Sequence, residues 1–250
     1  MLVLLPPSET KRSGGGSGSL HLAALALAQL GEQRESVLTA LEDLSADPVR
    51  AARVLKLGST QYDEIAANAS IRSSPTMAAI DRYTGVLYDA LDAASLDAHA
   101  RRWLGANVLI HTASLGPVGA LDRIPAYRLG AGVSLPGSPS LRRTWSHAVS
   151  SALADLSPSF ILDLRSEAYT ALGPVPASVG SVYVRVVTEG ADGTVRALNH
   201  FNKHAKGELV RALALQRPRI GTLRALHTWA EAQGLTLRDG AREGEALLFA

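Results

Sequence analysis

The run Asn199-His200-Phe201-Asn202-Lys203-His204-Ala205-Lys206-Gly207 packs cationic and protonatable groups into what reads as the first turn of a helix. Positive side chains there oppose the helix macrodipole, so they cost stability instead of adding to it. The same helix end presents unpaired backbone N–H groups, and cations beside them make an anion site. As phosphate contacts, Lys203, His204 and Lys206 would position a duplex or a nucleotide without reading bases. The alternative is a solvated helix start whose lysines only keep the surface soluble. His200 and His204 stand at i, i+4, which on a helix places both imidazoles on one face with Glu208 as a third donor. His200 falls in the strand-to-helix transition, however, so packed histidines are the favoured reading and neither metal nor cofactor is assigned.

Other segments carry weaker signals. Gly14-Gly15-Gly16-Ser17-Gly18-Ser19 follows Lys11. It lacks the Gly-Lys-Ser/Thr of a phosphate loop and the glycine spacing of a dinucleotide fingerprint, and it reads as a mobile surface loop. Leu115-Gly116-Pro117-Val118-Gly119-Ala120-Leu121 reads as a hairpin-like turn whose glycines would let backbone approach a phosphate. Pro117 removes one donor from it, which favours an ordinary tight turn. Arg165-Ser166-Glu167, after an apolar run, fits either a ligand loop at a strand end or a helix cap with a surface ion pair.

The elements that must position these groups follow from periodicity. Leu2–Leu5, Val108–Thr112, Phe160–Leu164, Val182–Val187 and Val195–Phe201 read as strands, with Glu245–Phe249 a final one. Glu189 to Gly193 is rich in turn residues and joins two of them as a hairpin. Helical periodicity dominates from the glycine run to Leu104, with breaks near Gly31, Asp47-Pro48 and Ser74-Pro75. Arg142–Leu156 carries Trp145, Ala148, Val149, Ala152, Leu153 and Leu156 as one apolar stripe. Lys203–Leu215 and Gly221–Gln233 are further helices. Helices and strands mix with a hairpin, so the fold class is α+β (mixed α/β), one unit over residues 1–250.

Composition sets bounds. The 250 residues are 46% apolar, as in a globular protein, and formal charge is only +2, so nucleic-acid affinity must come from a local patch. Aromatics at 5% argue against single-strand stacking platforms. With no cysteine there are no disulfides, thiolate metal sites or thiol nucleophiles. No apolar run resembles a secretory signal or a membrane span, and a monomeric cytoplasmic protein is expected.

Several phrases are familiar together: Leu4-Leu5-Pro6-Pro7-Ser8-Glu9-Thr10-Lys11, Tyr83-Thr84-Gly85-Val86-Leu87-Tyr88, and Asp122-Arg123-Ile124-Pro125-Ala126-Tyr127-Arg128-Leu129. Leu162-Asp163-Leu164-Arg165-Ser166-Glu167-Ala168-Tyr169 and Phe201-Asn202-Lys203-His204-Ala205-Lys206-Gly207 complete the set. Their order and spacing resemble the YaaA family of bacterial peroxide-stress proteins, also called UPF0246, in an actinobacterial form. The resemblance implies a bilobed α/β body with a mixed sheet and a positively charged cleft. It also implies double-stranded DNA binding with a segment similar to a helix–hairpin–helix, and survival of hydrogen peroxide by limiting iron-driven damage. One departure stands out. The family's Gly, two residues, then Arg-Pro becomes Gly116-Pro117-Val118-Gly119-Ala120 here, so an arginine contact is absent or supplied from elsewhere.

Through the resemblance, Lys11, Arg128, Arg165, Ser166, Lys203, His204 and Lys206 become the anion-binding set. Lys203, Glu9 and Glu167 become the candidates for catalysis. The leading expectation is a non-enzymatic binder of double-stranded DNA without strong sequence preference. The competitor is an enzyme acting on a nucleotide, nucleobase or other anionic small molecule. Glu9, Lys11, Tyr83, Arg128, Ser166, Glu167 and Lys203 are more chemistry than backbone binding needs. Iron sequestration by histidines ranks third.

Overall fold

An apolar run with no polar alternation must be covered on both faces, and Leu2–Leu5 is such a run: all of it is buried. The computed structural model describes residues 1–189, 195–197 and 201–250. In chain order its elements begin with β1 (Leu2–Leu5), α1 (Gly31–Ser45), α2 (Pro48–Leu55), α3 (Tyr62–Ala69), β2 (Met77–Ala78), α4 (Ala79–Arg82) and α5 (Val86–Leu91). Then come α6 (Ala98–Asn107), β3 (Val108–Thr112), β4 (Gly116–Gly119), β5 (Arg123–Ile124), α7 (Leu141–Asp155), β6 (Ile161–Asp163) and α8 (Glu167–Thr170). The chain closes with β7 (Ser181–Glu189), β8 (Val195–Ala197), α9 (Phe201–Gln216), α10 (Leu223–Ala232), β9 (Leu237–Asp239) and β10 (Glu245–Phe249).

The main sheet has the order β4-β3-β1-β6-β7-β10-β9, with β8 paired to β7. β1 lies parallel to β3 on one side (Val3↔Val108) and to β6 on the other (Val3↔Leu162). β6, β7 and β10 continue in parallel, while β4 and β9 close the two edges antiparallel. This is the expected mixed α/β class, around one contiguous hydrophobic core. The strand order reverses beside β1: the chain goes from β1 out to β3 and β4, then returns to β6 on the opposite side. In open parallel sheets a crevice opens at such a reversal, outside the carboxyl ends of the strands.

Local rules account for most elements. Asp47 caps α2, accepting from the Val49 and Arg50 N–H groups at 3.1 Å, with Pro48 in the first turn. Ser140 caps α7, whose Trp145, Val149, Ala152 and Leu153 are buried. Leu156 was expected in that stripe but lies past the helix end and is exposed. The expected hairpin forms between β7 and β8 (Val187↔Ala197), with its connecting turn outside the described residues. α9 begins at Phe201, ahead of the expected Lys203. The small β2–β5 sheet was not foreseen, because two-residue strands carry no period.

Two corrections concern the glycine-rich segments. Leu115–Leu121 is not an exposed phosphate-binding turn. Its core is the buried edge strand β4, with Pro117 opposite His111 and the Gly119 N–H donated to Asp122 Oδ2 at 2.7 Å. Edge strands tolerate proline because one side of the strand needs no ladder bond. Arg34 of α1 brings a buried guanidinium to this segment, but donates it to the carbonyls of Leu115 and Pro117 at 2.9 and 3.0 Å. The run at 14–19 is exposed yet tethered, with Gly16 N–H donating to Thr76 O at 3.0 Å and Thr76 Oγ1 to Gly18 O at 3.0 Å. Among the described residues, no helix is long and apolar enough to cross a membrane.

α9 packs on α5 and β7. The crossing with α5 is so close that a Cβ on Gly207 would lie 2.2 Å from Leu87 O and 2.8 Å from Ala90 Cβ. Gly207→Ala should therefore force the helices apart and cost about 1–3 kcal/mol. Gly132→Ala, where nothing lies within 4 Å, should stay within about 0.5 kcal/mol of the parent. Urea denaturation compares the two; equal midpoints would contradict the close crossing.

Candidate functional site

The strand reversal gathers the groups that the sequence scatters. At the end of β6, Asp163 takes the Arg165 guanidinium on both carboxylate oxygens, at 2.8 Å from Nε and 2.6 Å from Nη2. Arg165 Nη1 donates to His111 Nδ1 at 2.8 Å and to the Gly173 carbonyl at 2.8 Å. A guanidinium can only donate, so His111 accepts on Nδ1 and carries its proton on Nε2. That Nε2 is buried with no hydrogen-bond partner among the described residues. Burial and the Arg165 charge hold the His111 pKa well below its usual value, so the ring stays neutral.

Lys11 lies beyond β1. Its Nζ donates to the Ser8 and Glu9 carbonyls at 3.0 and 3.2 Å, 4.2 Å from the Tyr127 ring centroid and 5.5 Å from that of Tyr83. Behind it, the Tyr83 and Tyr127 hydroxyls share a hydrogen bond of 2.8 Å. Tyr88 packs on Tyr83 with centroids 5.1 Å apart and donates to Pro6 O at 2.7 Å. The segment is stitched from both sides: Lys11 bridges to Tyr83, and Thr10 Oγ1 donates to Thr84 O at 3.2 Å. Gly85 at φ 95° faces this seam, where a Cβ would meet Ser8 Oγ at 3.3 Å. Desolvation first, and then the nearby Arg128 charge, pull the Lys11 pKa down to about 7. Burial pushes the Tyr127 phenol up to about 12 and that of Tyr83 well above its normal value, so both remain protonated donors.

Lys206 stands on the other side of the reversal. It is buried, with Nζ 5.6 Å from the Tyr183 ring centroid. Desolvation lowers its pKa to about 8 against the opposing pull of Asp163. Arg128 reaches Glu9 at 3.2 Å and Glu64 at 3.4 Å, and its backbone is held by Asn68 through bonds of 2.7 and 2.9 Å. Arg185 bridges Glu167, at 2.8 Å, and Glu245.

A family model described as peroxide stress protein YaaA matches residues 1–240. A UPF0246 protein of Corynebacterium efficiens is 42% identical over 249 residues, covering 97% of this chain and 98% of its own. A UPF0246 protein of Streptomyces coelicolor is 40% identical over 219 residues, 85% of this chain and 82% of its own. The chain belongs to the YaaA family of peroxide stress proteins. Both of these relatives are actinobacterial.

Against the family-derived set, the geometry sorts the residues. Lys11, Arg128 and Glu9 come together beyond β1, where Arg128 pairs with Glu9 and Lys11 Nζ packs against the Tyr83 and Tyr127 rings. Arg165 is present at the reversal but fully buried, its donors engaged by Asp163, His111 and Gly173, so it braces the strand ends from within. It is therefore not part of a surface ion pair; Glu167 instead pairs with Arg185, and exposed Ser166 precedes α8. The α9 cluster divides. Helical pitch turns Lys206 inward and leaves Lys203 and His204 exposed. His204 Nε2 lies 3.3 Å from Glu208, while His200 falls outside the described residues. Among the described residues, no three His, Asp or Glu gather as a metal site. Sequence reasoning did not single out Tyr127, His111 or Asp163 as site residues, although Tyr127 and Asp163 belonged to recognised blocks and His111 to a recognised strand; burial is what makes them matter.

The depressed lysine has a measurable consequence. Lys11 has a folded pKa of about 7 against 10.5 for the ordinary side chain. Between those values the unfolded state binds more protons, so stability rises with pH across the window, and the full cost is felt below about pH 7. Removing Lys11 (Lys11→Met) should flatten the rise by at most about 1.4 kcal/mol per pH unit. Urea midpoints collected from about pH 6.5 to about pH 9.5 read this out, and parallel profiles for parent and variant would contradict it.

Proposed function

We propose that this peroxide-stress protein binds a small anionic molecule, such as a nucleotide, nucleobase derivative or organic acid, in the recess at the β1–β6 reversal and acts on it there. The observation that carries this reading is the pair Lys11 and Lys206. Both amines are drawn into the protein beside aromatic rings, and both titrate near neutrality. Contact with a phosphate backbone calls for solvated, permanently charged cations. A lysine poised near the working pH suits proton transfer or nucleophilic attack. Arg128 supplies the permanent charge that would orient an anion.

A second reading, double-stranded DNA binding that limits iron-linked damage to the duplex, is favoured by one separate observation. Lys203 and His204 are solvent-exposed in the first turn of α9, which holds no acidic residue. The two engagements use different side chains and can be separated.

Thermal shift against a panel of nucleotides and small organic anions should give a saturable rise in Tm. Lys11→Met should abolish it and Lys203→Ala should leave it intact. Anisotropy with a DNA duplex should show affinity falling steeply with salt and weakened by Lys203→Ala. Salt-steep duplex binding without stabilisation by any small anion would overturn the first reading in favour of the second.

A further inference from the structure

We propose that the ligand of this recess is a small carbonyl compound carrying an anionic group, of the 2-oxo acid class, and that Lys11 Nζ condenses with its carbonyl carbon to form an imine. The inference rests on the small-anion reading and specifies its chemistry. Four features carry it. Lys11 Nζ is fixed by the Ser8 and Glu9 carbonyls, and among the described residues no carboxylate lies within ion-pair distance of it. Burial with no carboxylate to compensate it favours the neutral, nucleophilic amine, against the pull of the ring faces and the two carbonyls toward the cation. The Tyr83 and Tyr127 hydroxyls form a hydrogen-bonded pair on the two rings that Lys11 packs against, and a phenol is the proton donor that such a step calls for. Arg128 now holds the exposed Glu9 carboxylate at 3.2 Å, and a ligand carboxylate can replace it there.

The chemistry balances without an oxidant or reductant. The Nζ lone pair forms a bond to the carbonyl carbon, giving a carbinolamine. A phenol proton assists departure of the hydroxyl as water, and the nitrogen returns a proton to the phenol pair. Amine and ketone become imine and water. The imine nitrogen, once protonated, would draw electrons from the neighbouring carbon bond, as covalent lysine catalysis requires.

Incubating the full-length protein with pyruvate, glyoxylate or 2-oxoglutarate and sodium cyanoborohydride freezes such an imine as a stable amine. Intact mass and peptide mapping should find one adduct on the parent protein, on the peptide holding Lys11, and Lys11→Arg should lose it. Tyr127→Phe should slow the labelling while leaving the labelled position unchanged. L-Lactate, an organic acid without the ketone, should raise Tm and give no adduct. Absence of an adduct with all of these 2-oxo acids overturns the imine, as does labelling spread over surface lysines with no preference for Lys11. If lactate or nucleotides still stabilise the parent in that case, the small-anion recess stands without the imine. If nothing stabilises it, both readings fall.

Discussion

The site depends on a buried ion pair. Asp163 and Arg165 leave water completely, which costs several kcal/mol per ion before any attraction is counted. The cost is offset because Arg165 satisfies both carboxylate oxygens and directs its remaining donor to His111 and Gly173. Those partners come from the end of β3, the end of β6 and the loop after α8. One guanidinium therefore fixes the relative positions of strand ends on either side of β1. Loss of either charge would strand the other in the core, a defect of about 3–5 kcal/mol.

With the strand ends fixed, the neighbouring groups acquire properties they would not have in water. Lys11 and Lys206 are far from each other in sequence, yet both lose hydration at the same end of the sheet. In each case desolvation is the largest influence on the amine. The tyrosines respond in the opposite sense, because burial favours the neutral phenol. Amines that exchange their proton near pH 7–8 beside phenols that keep theirs make this end of the sheet an acid–base medium. Arg128 is held between Glu9 and Glu64, a guanidinium whose fork of donors suits a carboxylate or phosphate.

The helix packing serves the same end. The absence of a side chain at Gly207 lets α9 approach the α5 backbone, and the approach carries Lys206 inward beside β7. The Tyr83-Thr84-Gly85 segment is likewise bonded to Thr10 and bridged to Lys11, with Gly85 close against Ser8, so α5 is tied to the loop that presents Lys11. Glycines that look like ordinary punctuation in the sequence are contact points between the elements carrying the two lysines.

Strand and helix identities were legible because burial imposes a period. The apolar runs at Leu2 and Val108, the stripe on α7 and the Asp47-Pro48 cap are read from residues within one turn or one strand of each other. The family was legible from the ordered blocks around Lys11, Tyr83, Asp122, Asp163 and Phe201. Which cations face solvent was not, since that depends on chain brought from far away. Arg165 sits among polar residues in the sequence and is fully buried, because His111 and Gly173 arrive from other elements. Lys203 and Lys206 look equivalent along the chain; the surface that α9 packs against makes one a solvated charge and the other a buried amine. The sequence by itself determined which chemical groups this protein has and the local elements that carry them. Only the tertiary structure decided their hydration, because desolvation is a property of the whole surroundings of an atom and not of its neighbours in the chain.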